Sequence, residues 1–306
     1  MRDPYLYMNK GNIVEFYYNL NRKNFLLERK LYKLLLLVRG KEREHLQLLS
    51  VLYRLIGQTR DVVNGKGERV LAYTQIFVWH LFYPKLAEFA LMRFLYGNGH
   101  PWGSWKDIKY LCAFVYKRTG NAYHPLIIGS CYLLINQIKH DVHSDWPSLA
   151  AKWCPREGKK HNWLNTIITR MCYPEITNLN NGRKKLRKML SSLNLRIRTA
   201  EVDMCNKEWD KIDYARVPSM AMLRYAKCYE KRAPKKTHQL LSVFSKINAK
   251  RCELHQLVYS ALNNDSELIE KQWEKYTREI RPLNYIPIIN ISALMETDHE
   301  ILYTII

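Results

Sequence analysis

Leu46, Leu49, Leu52, Leu55 and Ile56 recur at intervals of three and four, which lays them along one face of a helix. The same periodicity, interrupted by short polar breaks, returns along nearly the whole chain. Gly57 is expected to end this first helix. After the loop Asn64-Gly65-Lys66-Gly67, a helix runs through Leu71, Ile76 and Trp79 to about Phe82, where Pro84 interrupts it. Another occupies Lys85 to Tyr96. The run Gly97-Asn98-Gly99-His100-Pro101 is a strong break, and Ser104 is placed to N-cap a helix from Trp105 to Lys117. Further helices are predicted near 125–140, 162–172, 183–193, 197–208, 218–230, 236–261 and 266–278. The low count of 12 Gly and 11 Pro favours long helices over a turn-rich sheet protein. The expected fold is all-α, an irregular α-solenoid over residues 1–282, although no self-similar repeat is visible.

Residues 283–306 break the pattern. Tyr285 to Ile289 is an apolar, β-rich run followed by Asn290-Ile291-Ser292-Ala293-Leu294, and reads as the first strand of an α/β domain that the 306-residue chain does not continue. Such a strand is expected to dock on the helical body, to fray, or to pair with another chain, as a protein partner or by self-association. The most apolar windows, Leu31 to Val38 and Leu126 to Ile138, are shorter than the ~20 residues needed to span a bilayer. Met1 to Lys10 is polar, without the apolar core of a secretory signal. Seven widely spaced cysteines with no CxxC pair point to reduced thiols in a cytoplasmic compartment rather than to a disulfide or zinc framework.

The formal net charge is +21, and most of it falls between Asn181 and Arg251. Arg183, Lys184, Lys185, Arg187, Lys188, Arg196 and Arg198 stand together without an acid, and nine more basic residues from Arg224 to Arg251 face the single Glu230. Structured segments that carry this much charge present a shaped cationic surface, and the polyanion that fits is nucleic acid. The bland reading is a solvated helix face. The candidate phosphate-contacting residues are Lys152, Arg156, Lys159, Lys160, Arg183, Lys184, Lys185, Arg187, Lys188, Arg196, Arg198, Lys231, Arg232, Lys235 and Lys236. Trp102, Trp105, Trp153 and Trp163 read first as core packing. Trp153 and Trp163 are also candidates for base stacking, because Lys152, Arg156, Lys159, Lys160 and His161 surround them.

Other constellations carry less. His140-Asp141-Val142-His143 with Asp145 reads as a polar helix end rather than a metal site. Gly65-Lys66-Gly67-Glu68-Arg69 lacks the full phosphate-loop pattern and reads as a turn in which Arg60, Asp61, Glu68 and Arg69 pair to fix neighbouring helices. No nucleophile, base and orienting group stand at a recognisable spacing, so neither catalysis nor a cofactor is expected.

Several segments together resemble a known family. They are Val14-Glu15-Phe16-Tyr17; Thr59-Arg60-Asp61 with Gly65-Lys66-Gly67-Glu68-Arg69; Gly103-Ser104-Trp105-Lys106-Asp107-Ile108; Ala151-Lys152-Trp153-Cys154-Pro155-Arg156-Glu157; and Glu201-Val202-Asp203-Met204 with Ile212-Asp213-Tyr214 and Val217-Pro218-Ser219. In order and spacing these resemble the TROVE-like proteins of plants, microbes and large DNA viruses, related in outline to the Ro-type RNA-binding rings. The resemblance implies HEAT-like helix pairs, an RNA ligand, and a setting in host cytoplasm or a virion if the source is viral. It also implies a following von Willebrand A-like domain whose metal site opens Asp-x-Ser-x-Ser. Here Asn290 and Leu294 replace the first Asp and the second Ser, so metal binding is not expected.

Overall fold

A helix that is apolar on every side has no face for water and must sit inside its domain. Residues 69–82 form such a helix, and in the computed structural model nearly every side chain from Leu71 to Trp79 is buried. The structure describes residues 11, 13–17, 20, 26–97, 100–249, 252, 254–263 and 265–279. The fold is all-α, and the chain divides into two compact units, Met1–Ile197 and Arg198–Ile306.

The first unit contains α1 (Leu27–Val38), α2 (Leu46–Arg60), α3 (Arg69–Phe82), α4 (Pro84–Leu95), α5 (Lys106–Thr119), α6 (Pro125–His143), the short α7 (Ala150–Trp153), α8 (Asn162–Cys172) and α9 (Leu179–Ile197). Helices pack on those one or two places along the chain, and on one three places away between α6 and α9, which is the contact pattern of a helical array. The buried α3 touches α1, α2, α4 and α5. One apolar core runs through the unit.

At its centre lies an ion pair. Arg60, the last residue of α2, donates from Nε to Asp107 Oδ1 at 2.9 Å and from Nη2 to Asp107 Oδ2 at 2.7 Å, with side chains only 1% and 0% exposed. Tyr73 of α3 donates to Oδ1 at 2.5 Å, and the Ser104 amide donates to Oδ2 at 2.8 Å. Burial pushes the Asp107 carboxyl upward, but the hydrogen bonds and charge of Arg60, with Tyr73 and Ser104, outweigh it and hold the group below its usual range. Gly103 is required here, because a Cβ would lie 2.8 Å from Asp107 Oδ2 and 3.2 Å from Phe94 Cβ.

The second unit contains α10 (Ala200–Cys205), α11 (Ser219–Arg232), α12 (Pro234–Ser242), α13 (Leu254–Asn263) and α14 (Glu267–Glu279), with 3₁₀ turns at Trp209–Lys211, Tyr214–Arg216 and Phe244–Lys246. Its own core gathers Ile212, Tyr214, Met222, Tyr229 and Leu268 among others. Glu230 of α11 accepts from Ser266 Oγ at 2.8 Å and from the Leu268 amide at 3.1 Å, so an acid from another helix caps the start of α14.

Three local expectations change. The first helix does not end at Gly57 but continues to Arg60; Gly57 is a packing glycine, whose added Cβ would stand 2.9 Å from the Trp102 indole. Ser104 does not cap α5 through its hydroxyl, which instead donates to Asp107 Oδ2 at 3.2 Å. As expected, charges beside the glycine turn pair with neighbouring elements, Arg60 and Arg69 with Asp107 and Asp61 with His100 Nε2 at 2.8 Å, while Asp61 also accepts from the Val63 and Asn64 amides. The predicted helix 236–261 is broken between Ser242 and Leu254, because α14 reaches across to hold the open carbonyls. Lys275 Nζ donates to Ser245 and Ile247 oxygens at 2.9 and 2.5 Å, and Gln272 Nε2 to Asn248 O at 2.8 Å. Residues 283–306, with the predicted strand 285–289 and the Asn290 to Leu294 pattern, lie outside the described residues.

Two outcomes follow in denaturant unfolding. Asp107→Ala alone loses about 3–5 kcal/mol, since it leaves the buried Arg60 charge unpaired; Arg60→Leu loses less, because Arg69 at 3.8 Å and the Tyr73 hydroxyl still face the carboxylate, and the double variant loses clearly less than the sum. Gly57→Ala destabilises by about 1–3 kcal/mol despite its better helix propensity, because the methyl group overpacks Trp102.

Candidate nucleic-acid interface

Gly182, Leu186, Leu190 and Leu193 fall on one side of α9 and are buried, with Gly182 close against the Thr169 methyl of α8. This register turns Lys184 and Lys188, one turn apart, to the opposite side, where both are exposed and meet no protein acceptor among the described residues. The other basic residues of α9 have structural partners. Arg183 Nη2 donates to Thr166 Oγ1 at 2.9 Å and Asn162 Oδ1 at 3.3 Å. Arg187 forms an ion pair with Glu157. Lys185 Nζ lies 5.7 Å from the centre of the Tyr173 ring. Arg196 donates to the carbonyl oxygens of Asp141 at 3.3 Å and Val142 at 2.9 Å, and to that of Ser144. It thereby closes the C-terminus of α6, where a cation also complements the helix dipole.

A second cationic group surrounds Trp153 at the end of α7. The ammonium groups of Lys109, Lys106 and Lys152 lie 4.8, 5.1 and 5.8 Å from its ring. Lys106 and Lys109 also sit 5.6 and 5.4 Å from Tyr110. Burial pushes the Lys109 ammonium below the ordinary lysine range. His161 meets Tyr110 edge-on at 6.0 Å, and its imidazole is held down by burial first, then by Lys109 and Lys160. Its Nδ1 is buried without a hydrogen-bond partner among the described residues. Arg156 is half-buried and donates to the Ala151 carbonyl at 3.2 Å, whereas Lys159 and Lys160 are exposed. Trp153 and Trp163 are both partly buried against the core, and one face of Trp163 is taken by Tyr116, stacked at 4.6 Å.

In the second unit Arg198 is exposed in a left-handed turn, φ 50°. On α11, Ser219, Met222, Ala226 and Tyr229 point inward, which leaves Arg224, Lys227 and Lys231 exposed on the outer face, and Arg232 and Lys235 are exposed as well. Lys236 instead donates to the Asp210 carbonyl. Arg224 and Lys227 were not among the sequence candidates, although their spacing of three and then four to Lys231 is a one-face signal. Lys106, Lys109 and Tyr110 were also missed, and only the packing of α5 beside α7 brings them to Trp153.

The weaker constellations resolve into structural roles. Asp141 is buried, accepting from Gln137 Nε2 at 2.7 Å and Ser148 Oγ at 2.6 Å, while His140 and His143 are exposed. Among the described residues no group of three or more His, Cys, Asp and Glu is arranged to hold a metal ion. In the glycine turn the amides of Lys66, Gly67 and Glu68 donate to the carbonyls of Gln58, Asp61 and Thr59, so they are not available to a phosphate. No helix among the described residues is long and apolar enough to cross a membrane.

Comparison with known proteins gives relatives without a described activity. A domain of unknown function (DUF2828) matches residues 134–283, a span that includes α9 and all the basic candidates named from the sequence but not Arg60 or Asp107. The chain is 22% identical over 292 residues to uncharacterized protein L728 of Acanthamoeba polyphaga mimivirus, covering 81% of this chain and 48% of that protein. The chain thus spans about half the length of this curated relative. No solved structure matches.

The two kinds of cation on α9 are separable. Arg196→Gln lowers the stability of the first unit by about 1 kcal/mol, the worth of a cation at a helix C-terminus. Lys184→Gln with Lys188→Gln changes it by less than about 0.5 kcal/mol. Chemical denaturation of both variants checks the contrast.

Proposed function

We propose that this chain is a non-catalytic helical scaffold that binds nucleic acid, RNA in particular. The observation that carries the reading is the exposed pair Lys184 and Lys188, on a helix that contains no acid and whose other basic residues have protein partners. Two ammonium groups one turn apart with no counter-charge are matched by the regular charges of a phosphate backbone. Each unit contributes its own exposed cations, with Lys159 and Lys160 in the first and Arg224, Lys227, Lys231, Arg232 and Lys235 in the second. The charge alone selects a polyanion; the resemblance to Ro-type proteins selects RNA. Burial pushes Cys154 up to about 12 and Cys172 up to about 11, which disfavours these two thiols as nucleophiles.

The mimivirus relative favours a second reading, a structural component of a virus whose basic surface meets packaged genome, acidic protein or an inner membrane. Gel shifts with single-stranded RNA, duplex DNA and heparin separate the two. On the RNA reading, log K against log salt has a slope steeper than about −3, five contacts at roughly −0.7 each. Lys184→Gln and Lys188→Gln each make it shallower by roughly 0.7. Absence of binding at low salt contradicts the proposal.

A further inference from the structure

Along α4 and its cap, Lys85, Glu88, Phe89, Met92, Arg93 and Tyr96 follow one another at alternating steps of three and one, and all but the half-buried Arg93 are exposed. That spacing puts them on one face of the helix, with Lys85, Phe89, Met92 and Tyr96 along its middle, Glu88 on one flank and Arg93 on the other. Ala87, Ala90, Leu91 and Phe94, on the opposite face, already serve the core. We infer that the outward face of α4 joins two copies of this chain in a parallel, two-fold dimer, with Glu88 of each copy opposite Arg93 of the other. This is independent of the nucleic-acid reading.

The middle row is apolar and open, with Phe89 52% exposed. A groove lies on either side of it. On the Glu88 side a groove of about 360 Å³ runs between α4 and α6, lined by Leu91, Met92, Leu126, Gly129 and Tyr132 among others, and Tyr132 is 60% exposed. On the Arg93 side a groove of about 550 Å³ is lined by Phe89, Met92, Tyr96 and Pro101 among others. Among the described residues Glu88 has no ion-pair partner, and Arg93 is held over the Trp102 ring at 5.3 Å with no carboxylate bonded to it. The occupant of this face must therefore be apolar in the middle, with a cation toward Glu88 and an anion toward Arg93. A second copy meets all three demands. A two-fold axis parallel to α4 brings the Arg93 flank of one copy to the Glu88 flank of the other, and the two residues are five apart, as are the flanking charges that pair in parallel helix dimers. Phe89 and Met92 then meet their equivalents, and the Tyr132 ridge of each copy faces the groove beside Arg93 in the other. Lys85, at the end of the row, lays its stem over apolar surface and keeps its ammonium in water. Antiparallel packing would bring like flanks together, Glu88 toward Glu88 and Arg93 toward Arg93, so the charges select the parallel orientation.

The test is light scattering after size exclusion, with sedimentation, on the full chain treated with nuclease so that no RNA bridges copies. Salt of about 0.3 M, with a screening length of roughly 6 Å, suppresses the repulsion between two copies of net charge +21. The wild-type chain is expected to be a dimer that dissociates on dilution, and Phe89→Lys to be a monomer. Glu88→Arg and Arg93→Glu each weaken the dimer at least about tenfold, because each sets like charges together twice. Both substitutions in one chain restore it, and the two single variants, mixed, form a heterodimer tighter than either homodimer, which no folding defect can imitate. A wild-type chain that stays monomeric overturns the inference. If Phe89→Lys then lowers its stability, a segment of its own chain covers the face; if stability is unchanged, the face belongs to a different protein. A dimer that survives Phe89→Lys, or single variants that pair no better when mixed, also overturns it, since the interface then lies elsewhere or in another orientation.

Discussion

The first unit depends on the ion pair between Arg60 and Asp107. Two opposite charges, 1% and 0% exposed, sit where α2 ends and α5 begins, with the Tyr73 hydroxyl of α3 on the same carboxylate. Desolvating both groups costs nearly what their attraction returns, so the pair adds little net stability against a well-packed apolar alternative. Its effect is on geometry. A buried carboxylate needs its donors in place, and these donors come from the end of α2, the middle of α3 and the turn before α5. That requirement fixes the position and rotation of α5. With Asp107 turned inward, Lys106 and Lys109 are carried toward Trp153, and the cluster of cations around that ring follows from the interior.

The same logic governs the positive charge. A net +21 suggests a surface uniformly available to a polyanion, yet the structure divides the basic residues by what they touch. Arg183, Arg187, Arg196, Lys236 and Lys275 hold neighbouring side chains or open carbonyls, a role suited to long side chains with several donors. Lys184, Lys188, Arg224, Lys227 and Lys231 are turned outward by the apolar register of their own helices. On α9 it is chiefly arginine that binds the framework and lysine that faces solvent, in keeping with the fork geometry of the guanidinium.

Much of this was legible in the sequence because it is local. The periodicity of Leu49, Leu52, Leu55 and Ile56 marks a real helix and its buried face, although Leu46, counted with them, is exposed, and the all-α class follows. The spacing of Arg224, Lys227 and Lys231 was equally readable. What could not be read depends on a distant partner. Gly57 looks like a stop until Trp102 is seen against it. The break after Ser242 is hidden in a helix-like pattern because Gln272 and Lys275, on another helix, hold its carbonyls. Arg196 reads as one more surface charge until the end of α6 is placed beside it. Trp153 was found through its neighbour Lys152, while Lys106 and Lys109 reach it only through tertiary packing.

The claim that joins fold to function is that the interior of the first unit places specific side chains against RNA, and photo-crosslinking tests it most directly. Single-stranded RNA carrying 4-thiouridine, irradiated on the full chain and followed by mass spectrometry of the adducts, reports which residues touch the bases and the strand. The account predicts adducts in the segment of α9 that contains Lys184 and Lys188, lost when both are replaced by Gln. Adducts confined to surfaces away from that segment, or spread evenly over every exposed lysine, contradict it.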